Sequence, residues 1–131
     1  MSEILIRAAI AAMDKAYAPY SGFSVGAAIL DEHGAVHTGA NIENAAYPQG
    51  CCAEASAISA LIMSGGQRIL KIAVAGRGEI LCTPCGGCRQ KIREFGTAET
   101  KILICDETGL RQSFTLDELL PHSFGPDNLK R

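Results

Sequence analysis

The chain has 131 residues, of which 47% are hydrophobic and 20% charged, and its formal net charge is −2. That balance suits one folded domain, residues 1–131, around a single core and argues against disorder. It leaves no basic excess to follow a phosphate backbone, and no apolar run approaches the roughly 18 residues of a membrane span, so nucleic-acid polymers and membranes are set aside as partners.

Taken in chain order, Ser2 is placed to cap a helix whose apolar residues Ile4, Leu5, Ala8, Ala9, Ala12, Met13, Ala16 and Tyr17 recur at spacings of three and four, with Pro19 as its stop. V-G-A-A-I-L (25–30), the turn D-E-H-G and A-V-H-T-G-A-N (35–41) predict a β-hairpin. Residues 52–64 are alanine-rich with Ile58, Leu61 and Ile62, and Gly65-Gly66 stops them, which predicts a buried helix. K-I-A-V-A-G (71–76) is an unbroken apolar run, the pattern of a strand covered on both faces.

Pro84 then introduces a helix from about Cys85 to Phe95, ended by Gly96, and K-I-L-I-C-D (101–106) is a second interior strand. The tight E-T-G turn leads into a short polar strand at 111–115. So short a loop forbids a parallel crossover, and these last two strands are expected to be antiparallel. A short helix at 116–120 precedes the tail. The order helix, hairpin, helix, strand, helix, hairpin implies an α/β fold: a five-stranded mixed sheet flanked by helices.

Six cysteines are too few for a small disulfide scaffold, and M-S-E-I-L-I-R carries an acidic residue where a signal peptide needs positive charge. The expected location is cytoplasmic, where thiols stay reduced and clustered cysteines read as metal ligands or catalysts. C-C-A-E (51–54) opens one helix and P-C-G-G-C (84–88) the next. Unpaired N–H groups and the positive dipole end at a helix start favour thiolate over thiol. Cys85 and Cys88, one turn apart, can face one ion, and a cysteine from the other helix makes three protein ligands. Zinc with three ligands keeps a fourth position for water.

Glu54 stands beside that cluster on an alanine-rich face. Its bland reading is a carboxylate favoured by the helix dipole, but next to C-A and opposite P-C-x-x-C it reads as a proton carrier for metal-activated water. The three histidines, His33, His37 and His122, have no ligand spacing relative to the cysteines and are expected to be ordinary surface or core residues. Cys105, inside an apolar strand, reads as a small buried hydrophobe.

C-A-E followed by P-C-G-G-C resembles the three-cysteine form of the zinc nucleobase-deaminase signature, as found in cytidine deaminases of the small homotetrameric type. The similarity extends to A-P-Y-S-G-F-S-V-G-A-A (18–28), N-I-E-N-A-A-Y-P (41–48), C-R-Q-K-I-R-E-F (88–95) and E-L-L-P-H-S-F-G-P (118–126), and covers nearly the whole chain. It implies the three-layer cytidine-deaminase-like fold, one zinc ion per chain and a homotetramer.

The implied activity is hydrolytic deamination of cytidine and deoxycytidine, a reaction of pyrimidine salvage. The zinc ligands implied are Cys52, Cys85 and Cys88, with Glu54 carrying protons. Spacing alone does not choose between Cys51 and Cys52; the resemblance chooses Cys52. It puts Asn41 and Glu43 on the ribose, Ala53 and Phe23 at the base, and Phe124 in a neighbouring subunit's pocket. An amide and a carboxylate suit sugar hydroxyls, and the carboxylate would repel a 3′-phosphate.

One position departs from that family: arginine often follows C-A-E there, whereas this chain has Ala55. Three thiolates and Zn²⁺ sum to a negative site, so helix dipoles or another cation must do more of the neutralising; Arg89 and Arg93 are near in sequence. Two readings from other classes compete. C-x-x-C-x-x-C (82–88) resembles part of a ferredoxin ligand set with Cys52 as a remote fourth, implying an electron-transfer module. A zinc-stabilised interaction domain would need a fourth protein ligand. The electron-transfer reading leaves Glu54, Asn41 and Glu43 without a role. A nucleotide deaminase would need basic residues adjoining Asn41 and Glu43, and none adjoin them.

Overall fold

The computed structural model describes residues 2–129. Helix α1 (Ser2–Met13) is followed by strands β1 (Val25–Asp31) and β2 (Val36–Ala40), helix α2 (Ala53–Met63) and strand β3 (Ile69–Gly76). Helix α3 (Gly86–Phe95), strands β4 (Lys101–Asp106) and β5 (Gly109–Thr115) and helix α4 (Leu116–Leu119) complete the order, with short 3-10 turns at Tyr47–Gln49 and Pro126–Leu129. The strands form one sheet in the order β2-β1-β3-β4-β5. β3 and β4 are parallel; β1 is antiparallel to both β2 and β3, and β5 to β4. The mixed sheet and its closing antiparallel pair match the expectation from the sequence.

Strand periodicity explains the three layers. Alternate side chains point to opposite faces, so Ala27, Ile29, Ile72, Val74, Ile102 and Ile104 meet Ala53, Ala57, Leu61 and Ile92 of α2 and α3. The intervening Ala28, Leu30, Ala73, Ala75, Leu103 and Cys105 meet Leu5, Ala9 and Met13 of α1. Cys105 is thus the small buried hydrophobe expected, and burial pushes its thiol up to about 11. Alanines on the α1 face let that helix lie close. Gly26 carries the extreme: a Cβ there would lie 2.1 Å from the Ala9 carbonyl oxygen and 2.3 Å from the Met13 nitrogen.

The first helix departs from its predicted span. Ser2 is its first helical residue, and its hydroxyl accepts a hydrogen bond from Lys71 Nζ (3.0 Å). The helix ends at Met13 and does not include Ala16 and Tyr17, because the Tyr17 N–H is taken by the Asn41 carbonyl (2.9 Å) and Tyr17 pairs with Ile42. A long-range main-chain bond there outweighs one more helical turn. Among the described residues, no helix is long and apolar enough to cross a membrane.

The topology gathers one end of the sheet. Val25 at the start of β1 pairs with Gly76 at the end of β3, and Gly26 with Ala40 at the end of β2. Ile42 then pairs with Cys51, just before α2. The loop before β1, the segment after β2, the start of α2 and the segment leading to α3 therefore meet at that end.

Candidate active site

Cys52 is the N-cap of α2 and Cys85 the N-cap of α3, each with extended backbone, while Cys88 sits buried in the first turn of α3. The sulfurs of Cys52 and Cys88 and a carboxylate oxygen of Glu54 all lie within 4.8 Å of one another. Two sulfurs and an oxygen converging on two helix starts are a donor set that fits zinc. Cys52 and Cys88 share a hydrogen bond, and Cys52 is held down to about 5, first by the Cys88 thiol, against the effect of burial, and further by the Ala55 N–H and the charge of Lys91. Cys88 is pushed up by the Cys52 thiolate, by burial and by Glu54 and Cys85. The pair therefore gives up one proton readily and resists losing the second. A dication between the sulfurs removes that resistance.

Glu54 is only 4% exposed. Burial raises its pKa above the usual carboxylate range, and the Cys52 thiolate adds to the rise. Its own backbone N–H, a hydrogen bond with Cys88 and the charge of Lys91 oppose that rise. Such a carboxyl holds a proton closer to neutrality than a solvated one, which is what a proton carrier needs.

The Cys85 thiol is exposed and falls outside the set of three, although its charge acts on Cys88. The charge of Lys91, in α3, acts on both Cys52 and Glu54. Lys91 is the cation that the sequence reading did not single out. Its only signal was a basic residue one turn beyond the second cysteine of P-C-x-x-C.

The other cysteines separate from the cluster. Cys51 Sγ faces the Ser56 hydroxyl (3.5 Å) and the Cys52 carbonyl (3.8 Å). Cys82 packs beside Phe23 over Gly76, where a Cβ would lie 2.8 Å from Cys82 Sγ and 3.2 Å from Phe23 Cζ. Burial raises the Cys82 thiol to about 11, an environment that disfavours thiolate. Among the described residues, Cys82 falls outside the group of Cys52, Glu54 and Cys88, and its raised thiol disfavours the thiolate that an iron–sulfur ligand set needs.

Asn41 and Glu43 hold the loop that carries Phe23. Asn41 Oδ1 accepts the Val25 N–H (2.9 Å), and its Nδ2 donates to the Phe23 carbonyl (2.9 Å). Glu43 Oε1 accepts the N–H groups of Tyr20 (2.9 Å) and Ser21 (3.0 Å), and Oε2 accepts the Ser21 hydroxyl. Those bonds, the Ser21 hydroxyl first, hold the Glu43 carboxyl below its usual range. One amide hydrogen of Asn41 and a lone pair of Glu43 Oε2 remain to meet a ligand. Glu43 also lines a cavity of about 300 Å³ with Tyr20, Ser21, Asn44, Tyr47 and Gly50.

Phe23 is 44% exposed and lines the neighbouring cleft that runs from Arg77 to Thr83. Ala53, expected at the ligand, is wholly buried and part of the core. Phe124, 56% exposed, projects from a segment anchored by Gln90 Nε2 on its carbonyl (2.8 Å). His37 bonds Asp31 (2.8 Å) and Ser64 (3.3 Å) on the far side of the hairpin, His33 is exposed, and His122 adopts φ 54° in the tail turn.

Residues 1–104 match the family described as the cytidine and deoxycytidylate deaminase zinc-binding region. The chain is 41% identical over 127 residues to a cytidine deaminase of Halalkalibacterium halodurans, covering 97% of this chain and 96% of the relative. It is 46% identical over 117 residues to one of Mycobacterium tuberculosis, covering 88% and 84%. The crystal structure of cytidine deaminase from Burkholderia pseudomallei superposes with a TM-score of 0.88 at 38% identity, over 95% of this chain and 99% of that one.

Proposed function

The chain belongs to the cytidine and deoxycytidylate deaminase family, and on that premise we propose that it deaminates cytidine and deoxycytidine hydrolytically, with one zinc ion held by Cys52, Cys85 and Cys88. The observation that carries this reading is the convergence of Cys52, Cys88 and a buried Glu54 at two helix starts. Cys85, the exposed N-cap of α3, would be the third ligand. Bound zinc supplies Lewis acidity that makes water a nucleophile near neutral pH.

Glu54 does the proton work. As water adds to C4 of the cytosine ring, Glu54 takes its proton and passes it to N3. It then carries the second proton from the added oxygen to the exocyclic nitrogen, which leaves as ammonia, and N3 keeps its proton in the uridine product. One water is consumed and one ammonia released. The raised pKa of the buried carboxyl makes both the uptake and the return accessible.

Asn41 and Glu43 keep the Phe23 loop seated and use their remaining hydrogen-bonding capacity on the ribose hydroxyls. Phe23 stacks on the base. A 3′-phosphate would meet the Glu43 carboxylate, so free nucleosides are the substrates. Residues 1–131 act as one catalytic domain in the cytoplasm. Four chains assemble, each placing Phe124 at a neighbour's pocket; an aromatic ring this exposed on an anchored segment supports that.

The test is metal analysis of protein purified without oxygen, together with ammonia release from a panel of cytosine nucleosides and nucleotides. About one zinc per chain in a colourless protein, with turnover of cytidine and deoxycytidine alone, is expected. A brown protein with acid-labile sulfide, or equal turnover of single-stranded DNA, would refute the reading. Light scattering that shows a fully active monomer would refute the assembly.

A further inference from the structure

The segment between β3 and α3 delivers Cys85, yet among the described residues the main chain of 77–84 makes no hydrogen bond to other main chain. Two arginines hold it. Arg111 donates to the carbonyls of Gly78 (2.8 Å) and Glu79 (2.6 Å) at its start. Arg89 holds its end: Nε donates to the Pro84 carbonyl (2.7 Å) and one terminal nitrogen to the Thr83 hydroxyl (3.3 Å). The other terminal nitrogen of Arg89 donates to the carbonyl of Leu119, in α4 (2.8 Å). All three nitrogens of a half-buried guanidinium are thus bound, to two segments more than thirty residues apart in sequence.

The same helix grips the chain beyond α4. Gln90 Nε2 holds the Phe124 carbonyl (2.8 Å), and Arg93 Nε holds the Ser123 hydroxyl (2.9 Å). Gly125 lies so close that a Cβ there would be 2.4 Å from the Arg93 guanidinium carbon. Helix α3 therefore begins with the cysteines and runs under the segment that presents Phe124.

We propose that Arg89 is a positioning residue that sets the Thr83–Cys85 turn for metal binding and ties that turn to the C-terminal segment bearing Phe124. The planar fork suits the task, because it spans three acceptors at fixed angles, which a lysine ammonium on a flexible stem does not. Groups outside the ligand set that orient it are typically worth about 10- to 100-fold in metal affinity. Coupling of this kind is reciprocal, so what loosens the turn also loosens the segment after α4. The proposal rests on Cys85 being a zinc ligand.

The experiment measures zinc affinity by chelator competition, and the cobalt(II) thiolate charge-transfer spectrum, for wild type, Cys85→Ser, Arg89→Met, Arg89→Lys and Thr83→Val. Hydrogen exchange on the zinc-loaded proteins accompanies them. Arg89→Met is expected to bind zinc about 10- to 100-fold more weakly and to lose thiolate intensity in the cobalt spectrum. Exchange at the Leu120 amide, bonded to the Leu116 carbonyl beside the Arg89 contact, should speed up by about tenfold or more, while amides of β3 and β4 keep their protection and show that the core is intact.

Arg89→Lys should fail to restore the affinity, because geometry and not charge is lost. Thr83→Val, which removes a single acceptor and leaves Arg89 in place, should cost about 2- to 10-fold and covers the case in which Arg89→Met does not fold. Wild-type affinity in Arg89→Met, full restoration by lysine, or unchanged exchange at the Leu120 amide would overturn the proposal. If Arg89→Met fails to fold and Thr83→Val binds zinc as wild type does, the proposal is likewise overturned. Wild-type affinity in Cys85→Ser would instead remove the ligand assignment, and the proposal with it.

Discussion

Gly39 is the position where one methyl group should cost the most. It lies on β2 against the first turns of α2, and a Cβ there would sit 2.4 Å from the Ala57 nitrogen, 2.7 Å from the Ala53 carbonyl oxygen and 2.7 Å from Ser56 Cβ. Ordinary contacts begin near 3.4 Å, so in Gly39→Ala the start of α2 must retreat by about 1 Å, and the obstacle is helix backbone, which has no rotamer to yield. Overpacking of this sort costs about 1–3 kcal/mol. For a chain of this length that corresponds to a fall in Tm of roughly 4–11 °C.

The same retreat carries Cys52 and Glu54, which flank Ala53, away from Cys88. A misplacement of about 1 Å at reacting groups can cost on the order of 10²-fold in turnover. The assay is thermal unfolding of the zinc-loaded protein alongside kcat and KM for cytidine. Gly39→Ala should melt lower and lose kcat far more than KM rises. Adding Ser56→Gly removes just one of the three contacts and should not rescue it. A variant that melts and turns over like wild type, or is fully rescued by Ser56→Gly, would refute the reasoning.

Glu54→Gln should retain zinc and the fold and lose about 10²–10⁴-fold in kcat, the usual worth of general acid–base work; loss of zinc would make Glu54 a ligand. Lys91→Gln should weaken zinc binding by about 2- to 5-fold at low salt, the scale of an exposed charge pair, because its ammonium helps hold Cys52 as thiolate. Lys91→Arg should restore the affinity, and a chelator titration that finds Lys91→Gln unchanged contradicts the role. Asp31 is held below the usual carboxylate range mainly by its hydrogen bond with His37, against burial and helped by the N–H groups of Ala35 and His33. Its folded value is the lower one, so its contribution to stability is complete above the unfolded value near 3.8 and is lost as pH falls through the folded value. Denaturant unfolding from pH 6 down to pH 2 should show that loss, and Asp31→Asn should flatten it; an unchanged acid limb would argue against it.

The amino-acid sequence determined the order of elements and their faces, because both are written in local periods. Alternation at 27–30, 72–75 and 102–105 set which side chain meets which layer, and Gly65, Pro84 and Gly96 marked helix limits that depend on neighbouring residues alone. The spacing of C-A-E and P-C-G-G-C likewise brought Glu54, Cys85 and Cys88 together with one of Cys51 and Cys52, since a helix start fixes where residues one turn apart must point, and the family resemblance chose Cys52. Packing alone decided the rest. Tyr17 left the helix because its N–H found Asn41, Cys82 left the cysteine group because Gly76 let it settle on Phe23, and Asn41 and Glu43 proved to be latches of the Phe23 loop. The Lys91 charge acting on Cys52, and Arg89 joining the turn before α3 to Leu119, likewise depend on elements far apart in sequence. Such contacts carry no period: they exist only once the sheet has brought its loops to one end, and their energies are settled by distances of a few tenths of an ångström that no residue spacing encodes.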